Sequence, residues 1–352
     1  MTTQQELERR VDALIANPGT PRPEACAQLI EDMATWQRTR IDEYARLRRR
    51  GDWPPAMPTD VFRVRRMAAH PPARDRRVFH SSGTTSTDRS VHAFEDLHLY
   101  DAAARSAAKH MLFPDVERIA LIILAPDEHE APHSSLSYML ARFVEWFGGE
   151  VTFVWRDNAL DMEGLRTTLA NAESTGLPIA ILGTSFAFVH AEDALGKFRV
   201  ALAHGSRVMH TGGYKGRSRE VEPRVLRRAI GDRYGIAEPW IVAEYGMTEL
   251  SSQLYETTLR NEVVGADGER ALWSPPWVRV TPVDPETLAP VEPGTQGVLR
   301  IDDCANLGSL CCIQTSDLAR QVAAGVIVEG RAPGASPRGC SLAADQALGV
   351  QG

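Results

Sequence analysis

The segment Phe79-His80-Ser81-Ser82-Gly83-Thr84-Thr85-Ser86 gathers hydroxyls around one glycine. Hydroxyls and an unhindered backbone can wrap a polyphosphate with many donors at low steric cost. No Gly-Lys-Ser/Thr follows, so this is not a Walker A loop, and it is not a dinucleotide fingerprint either. A solvent loop of small polar residues would have the same composition. Farther on, Val242-Ala243-Glu244-Tyr245-Gly246-Met247-Thr248-Glu249-Leu250 closes an apolar run with an aromatic, a glycine, a hydroxyl and a carboxylate. An aromatic can stack on a base, a hydroxyl can meet a phosphate, and a carboxylate can hold Mg2+. Glu249 is equally suited to the first turn of a helix. In Cys311-Cys312-Ile313-Gln314-Thr315-Ser316-Asp317, the aspartate is expected to follow a strand in a Thr-Ser-Asp turn. There it can accept two ribose hydroxyls, or simply form an Asx turn. Residues 328–342 carry Arg331 and Arg338 in a glycine-rich, hinge-like stretch that is otherwise a tail with no role.

These groups need elements to hold them. Residues 3–50 read as helices. Thr3 and Glu6 form a capping box, and Leu7, Val11, Leu14 and Ile15 fall on one stripe. A second helix carries Leu29, Met33, Trp36 and Ile41. Residues 51–60 hold three prolines and a glycine, which excludes regular structure and marks a connector. From about residue 118, short β-branched runs alternate with helical stretches at 133–147, 160–173, 186–204 and 221–234. That rhythm predicts a mostly parallel α/β sheet, whose ligands bind beyond the carboxyl ends of the strands. Six prolines between residues 275 and 293 end the pattern. Beyond them Thr295–Asp303 and Cys311–Ala319 are expected to be antiparallel strands of a small barrel-like part. The division is therefore a helical segment over 1–60, an α/β core over 61–325, and a short hinge or tail over 326–352.

Taken in order, the Ser81–Ser86 loop, Tyr245–Glu249, Thr315–Asp317, and the Gly-Arg and Arg-Gly steps at 331 and 338 resemble the adenylate-forming superfamily of acyl-CoA synthetases, adenylation domains and luciferases. Within it the sequence is most similar to the LuxE-like acyl-protein synthetases. Residues 131–140, 181–189, 210–217 and 338–342 add to that similarity. It covers residues 50–345. The resemblance implies an ATP-dependent ligase that converts a carboxylic acid to an acyl-adenylate with release of pyrophosphate, then passes the acyl group to a thiol. It implies that Ser82, Gly83, Thr84 and Thr85 wrap the β- and γ-phosphates, that Tyr245 stacks on adenine beside Gly246, and that Gly212 and Gly213 border the adenine and the acyl carboxylate. Thr248 would touch the α-phosphate, Glu249 would hold Mg2+, and Asp317 and Arg331 would meet the ribose. His133, Phe186 and Phe188 would line the acyl pocket. Cys340 would receive the acyl group. Other acceptors are a carrier protein, a reductase partner or CoA, and the acid is fatty or aryl.

The sequence departs from the larger members in two ways. Their full C-terminal domain, which brings a reacting-centre lysine, is expected to be missing, and the phosphate loop lacks its following glycine and lysine. Lysine occurs only at 109, 197 and 215, so Lys215, or Arg89, Arg331 or Arg338, would supply the cation. That departure keeps open a second reading, a catalytically impaired nucleotide-binding regulatory or scaffold subunit. A serine hydrolase, prompted by Gly183–Ala187, fails because Ala187 stands where the nucleophile elbow needs glycine. A net charge of -7 argues against a nucleic-acid partner. The five cysteines have no framework spacing, and the polar N-terminus lacks a signal-peptide core. With no apolar run of about 20 residues to span a membrane, the expected compartment is the cytoplasm. Cys311 and Cys312 are expected in the core.

Overall fold

A computed structural model describes residues 2–49, 51, 53–81, 89–156, 159–212 and 221–333. By backbone contacts the chain divides into two units. One comprises residues 1–110, 248–255 and 270–336; the other comprises residues 111–247, 256–269 and 337–352.

In the second unit, five parallel strands stand in the order Gly148–Phe153, Ile119–Leu124, Ile179–Thr184, Arg207–Thr211, Ile241–Tyr245. In chain order that is 2-1-3-4-5, a doubly wound arrangement that reverses between Ile119–Leu124 and Ile179–Thr184. Every residue of the two central strands is buried. Both faces are therefore covered, which is why these strands are continuously apolar and do not alternate. The helices between them are Ser135–Phe147, Met162–Thr175, Ser185–Leu195 and Pro223–Tyr234. Polar side chains cap each start: Ser134, Asp161, Thr184 and Glu222 accept from backbone amides of the first turn. Met162–Thr175 and Pro223–Tyr234 end on left-handed glycines. Arg233, fully buried, forks onto Glu192 at 2.7 Å from both nitrogens and so ties the last of these helices to Ser185–Leu195.

The first unit is built differently. Its antiparallel sheet runs Val278–Val283, Gln296–Asp303, Cys312–Val322, Gly325–Arg331, Leu272–Trp273. Met57–Pro58 adds two parallel residues against Ile313 and Gln314, on the same edge of Cys312–Val322 as Gly325–Arg331 but beyond the end of that strand's pairing. The connector expected over 51–60 thus contains a minimal strand; its proline sits at the last paired position. Helix Gln4–Ile15 opens on Thr3, which accepts from the Glu6 amide, and it buries Leu7, Val11, Leu14 and Ile15. Helix Pro23–Arg38 buries Leu29, Met33, Trp36 and Gln37. A hairpin pairs Arg77–His80 with Val91–Phe94.

Candidate functional site

The phosphate-loop candidates Ser82, Gly83, Thr84 and Thr85 lie outside the described residues, as do Gly213, Lys215 and Cys340. The base of the loop is described. The Ser81 amide donates to the Ser90 carbonyl at 2.9 Å, and the Ser90 amide donates to the Ser81 hydroxyl at 2.7 Å. These two bonds continue the hairpin ladder and close the loop from below.

In the same unit, the turn carrying Thr248 and Glu249 is held by buried side chains. His92 Nδ1 lies 2.7 Å from the Thr248 carbonyl. Asn306 donates to the Glu249 carbonyl at 2.9 Å and accepts from the Ser251 hydroxyl at 3.0 Å. Asp303 accepts from the Ser251 amide at 2.9 Å and from the Ser252 hydroxyl at 2.7 Å. The Trp277 indole donates to the Ser252 hydroxyl at 3.0 Å. His92, Asn306, Asp303, Glu249 and Trp277 are each no more than 1% exposed. Burial pushes the Asp303 carboxyl up to about 6 against four hydrogen bonds that favour its charge. Burial likewise takes His92 down to about 4, so the imidazole is neutral at pH 7.

Asp317 lies inside the long strand Cys312–Val322, not in a turn after it. The apolar strand simply continues past the Thr-Ser-Asp step because Leu318 and Ala319 keep pairing with Gly325–Arg331. Cross-strand register sets Asp317 opposite Arg331, with Nε 3.1 Å from the carboxylate. Two residues expected at a ribose are thereby brought together, next to a register shift at Leu318/Ala319 that aims side chains off the regular ladder.

In the second unit, three strand ends come level: Thr184 pairs with Thr211, and Thr211 with Glu244. Ser185, Gly212 and Tyr245 follow or close those ends. Gly212 has φ +77, a left-handed conformation that suits glycine. Its carbonyl accepts from the Ser185 hydroxyl at 2.9 Å, and that hydroxyl lies 2.9 Å from His210 Nδ1. Ser185 is 3% exposed and so is no accessible nucleophile. Glu244 is buried and accepts from the Thr211 hydroxyl. Burial raises its carboxyl to about 7, with the Thr211 bond opposing. A Cβ at Gly246 would stand 2.4 Å from the Glu244 carboxylate, so a larger residue there requires the Glu244 side chain to shift. Phe186 is half-buried, Phe188 is 1% exposed among core residues, and His133 is exposed just before the Ser134 cap.

Sequence reasoning missed His92, Asp303, Asn306, Ser185 and Glu244. One signal was available: Glu244 is a lone acid inside an apolar strand, and a buried charge calls for a partner or a raised pKa. Among the described residues no cluster of three His, Cys, Asp or Glu side chains could hold a metal ion. Among them, no helix is long and apolar enough to cross a membrane.

Residues 36–349 match the family described as acyl-protein synthetase, LuxE. The chain belongs to that family. No curated protein matches this LuxE-family chain by sequence. Among solved structures it is similar to an open conformation of 2-hydroxyisobutyryl-CoA ligase in complex with 2-HIB-AMP and CoA, with TM-score 0.58 and 12% identity over 94% of this chain and 76% of that one. ATP-bound MatB from Rhodopseudomonas palustris gives TM-score 0.52 and 14% identity over 72% of this chain and 47% of that one. McyG A-PCP complexed with phenylalanyl-adenylate gives 0.50 and 15% over 73% and 47%. Likeness at these identities shows the fold, that of adenylate-forming enzymes. The chain spans about half the length of the MatB chain it matches.

Proposed function

We propose that this LuxE-family chain activates a carboxylic acid with ATP and passes the acyl group to a thiol. A carboxylate oxygen attacks the α-phosphorus, and the bond from phosphorus to the bridging oxygen of pyrophosphate breaks. A thiolate then attacks the acyl carbon, and the bond to the AMP oxygen breaks. The observation that carries this reading is the turn at Thr248–Ser252, where the backbone that carries the Thr248 hydroxyl and the Glu249 carboxylate is held by the buried side chains of His92, Asn306 and Asp303. Displacement at phosphorus depends on such fixed positioning and on charge stabilisation.

In the first unit, Ser82–Thr85 are the residues proposed for the β- and γ-phosphates, Thr248 for the α-phosphate, and Asp317 with Arg331 for the ribose. The Asp317–Arg331 pairing supports a shared role for those two. Glu249 would hold Mg2+. A protein carboxylate suits this ion, which is commonly shared with substrate phosphates; bound there, it would neutralise charge on the leaving pyrophosphate. In the second unit, Tyr245 and Gly246 are proposed for adenine, Gly212 and Gly213 for the adenine and carboxylate edge, and Lys215 for the missing cation. His133, Phe186 and Phe188 are proposed for the acyl pocket, Phe188 being the buried one of the three. We also propose the division into a helical segment (1–60), an adenylating core (61–325) and a tail (326–352) that carries Cys340, the acceptor within the chain. A carrier protein, a reductase partner or CoA would be the acceptor in trans.

The test is acid-dependent exchange of labelled pyrophosphate into ATP over a panel of fatty and aryl acids. Exchange is expected with at least one acid and is expected to fall at least about tenfold in Glu249→Gln, given the weight of charge stabilisation in such reactions. ATP binding without exchange across the whole panel would favour a catalytically impaired nucleotide-binding subunit instead.

A further inference from the structure

His92 is an imidazole in an expensive place. It is 1% exposed, on the strand Val91–Phe94 that leaves the phosphate-loop hairpin. Phe94 lies tilted over the ring at 4.1 Å between centroids, and Phe62 meets it edge-on at 6.0 Å. Nε2 is buried and has no partner in hydrogen-bonding geometry among the described residues. An apolar side chain would fill this slot without desolvating a ring nitrogen. What the imidazole supplies is its other nitrogen, 2.7 Å from the Thr248 carbonyl. A carbonyl only accepts, so Nδ1 carries the hydrogen, and Nε2 holds the lone pair. Asn306 and His70 also act on the ring, Asn306 favouring its charged form and His70 opposing it. His70 is itself occupied with Asp75 at 2.9 Å.

We propose that His92 is a positioning residue: its Nδ1–H ties the strand Val91–Phe94 to the carbonyl of Thr248, so that this strand and the Thr248–Glu249 turn keep one fixed spacing. The same turn is also held by Asn306 and Asp303. His92 touches no reacting atom; it acts through Thr248. The consequence for catalysis rests on the proposed roles of Thr248 and Glu249, whereas the consequence for the turn does not.

The chemistry gives a discriminating set of variants. An Asn amide nitrogen sits where Nδ1 sits, one bond beyond Cγ's attachment to Cβ, whereas a Gln amide nitrogen reaches the Nε2 position. His92→Asn therefore keeps the donor to Thr248, while His92→Gln and His92→Leu lose it. Two measurements are made on the full chain: amide hydrogen exchange of residues 247–252 without ligands, and kcat and KM for ATP in pyrophosphate exchange. His92→Leu is expected to speed amide exchange in that turn about tenfold and to lower kcat by about tenfold or more, with KM for ATP changed less than about threefold, because misplacing a bound reactant costs mainly the chemical step. His92→Asn restores both; His92→Gln restores neither. Equal rescue by Asn and Gln, or unchanged protection of the turn in His92→Leu, overturns the proposal. So does a kcat that ignores a loosened turn. If the wild-type chain exchanges no pyrophosphate with any acid, the functional reading fails, and the hydrogen-exchange pattern still decides whether His92 holds the turn.

Discussion

At the scale of single residues, Glu244 is the group with the most unusual environment. It is buried beside Gly246, with the Thr211 hydroxyl as donor. An unfolded Glu ionises near 4.5, while burial keeps this one protonated up to about 7. Between those values the native state binds more protons than the unfolded state, so stability falls as pH rises. The contribution is complete below about 4.5 and is lost through about 7. Glu244→Gln keeps a neutral group of the same shape and removes that slope. Urea unfolding at pH 5 and pH 8 should show the wild type losing up to roughly 3 kcal/mol relative to the variant over this range. His92, lowered by burial to about 4, gives the opposite slope below 6.5, but it is common to both proteins and cancels in the difference. Parallel pH curves for the two proteins would show that Glu244 is ionised in the folded state.

At the scale of elements, helix Pro23–Arg38 does more than cover a sheet. Gln37, fully buried near its end, donates to the Asn306 and Leu307 carbonyls at 3.0 Å and accepts from the Cys311 amide at 3.0 Å. The helix is thus strapped to the loop that supplies Asn306 to the Thr248–Ser252 turn and that follows Asp303 directly. Gln37→Leu strands two carbonyls and one amide, each costing about 1–3 kcal/mol when buried unpaired. The expected result is a lower thermal midpoint, with pyrophosphate exchange reduced at temperatures where the protein is still folded. An unmoved midpoint would mean that water replaces all three bonds. The helix stripe and its Thr3-capped neighbour were legible in the sequence, because burial at a period of 3.6 leaves a pattern. Gln37 was not, because one polar residue on an apolar stripe looks like a pattern error until its partners, about 270 positions away, are known.

At the scale of the whole molecule, four of the five cysteines (Cys26, Cys304, Cys311 and Cys312) are buried. Hydrogen bonding to Cys26 and burial push the Cys304 thiol up, and burial with the neighbouring Cys311 does the same to Cys312. Thiolate, not thiol, is the nucleophile, so Cys304 and Cys312 are inert in the native state, and burial alone shields Cys26 and Cys311 from reagent. Native alkylation with iodoacetamide at pH 7.5 followed by peptide mass spectrometry should leave these four unlabelled until the protein is unfolded. Label on any of them in the native protein would reopen the question of which cysteine can accept an acyl group. A thioester found on the native chain should accordingly map to Cys340.

The sequence by itself determined the kinds of elements and the order of the motifs. Continuous apolar runs reported strands buried on both faces. It did not determine that Asp317 stays within its strand, since whether pairing continues through a Thr-Ser-Asp step depends on the partner Gly325–Arg331. Nor did it reveal the 2-1-3-4-5 strand order, or that His92, Asn306 and Asp303 converge on one turn. Those are non-local facts: residues 92, 248 and 306 come together only because separate elements pack. A hydrogen bond between distant segments leaves no periodicity in the chain that makes it.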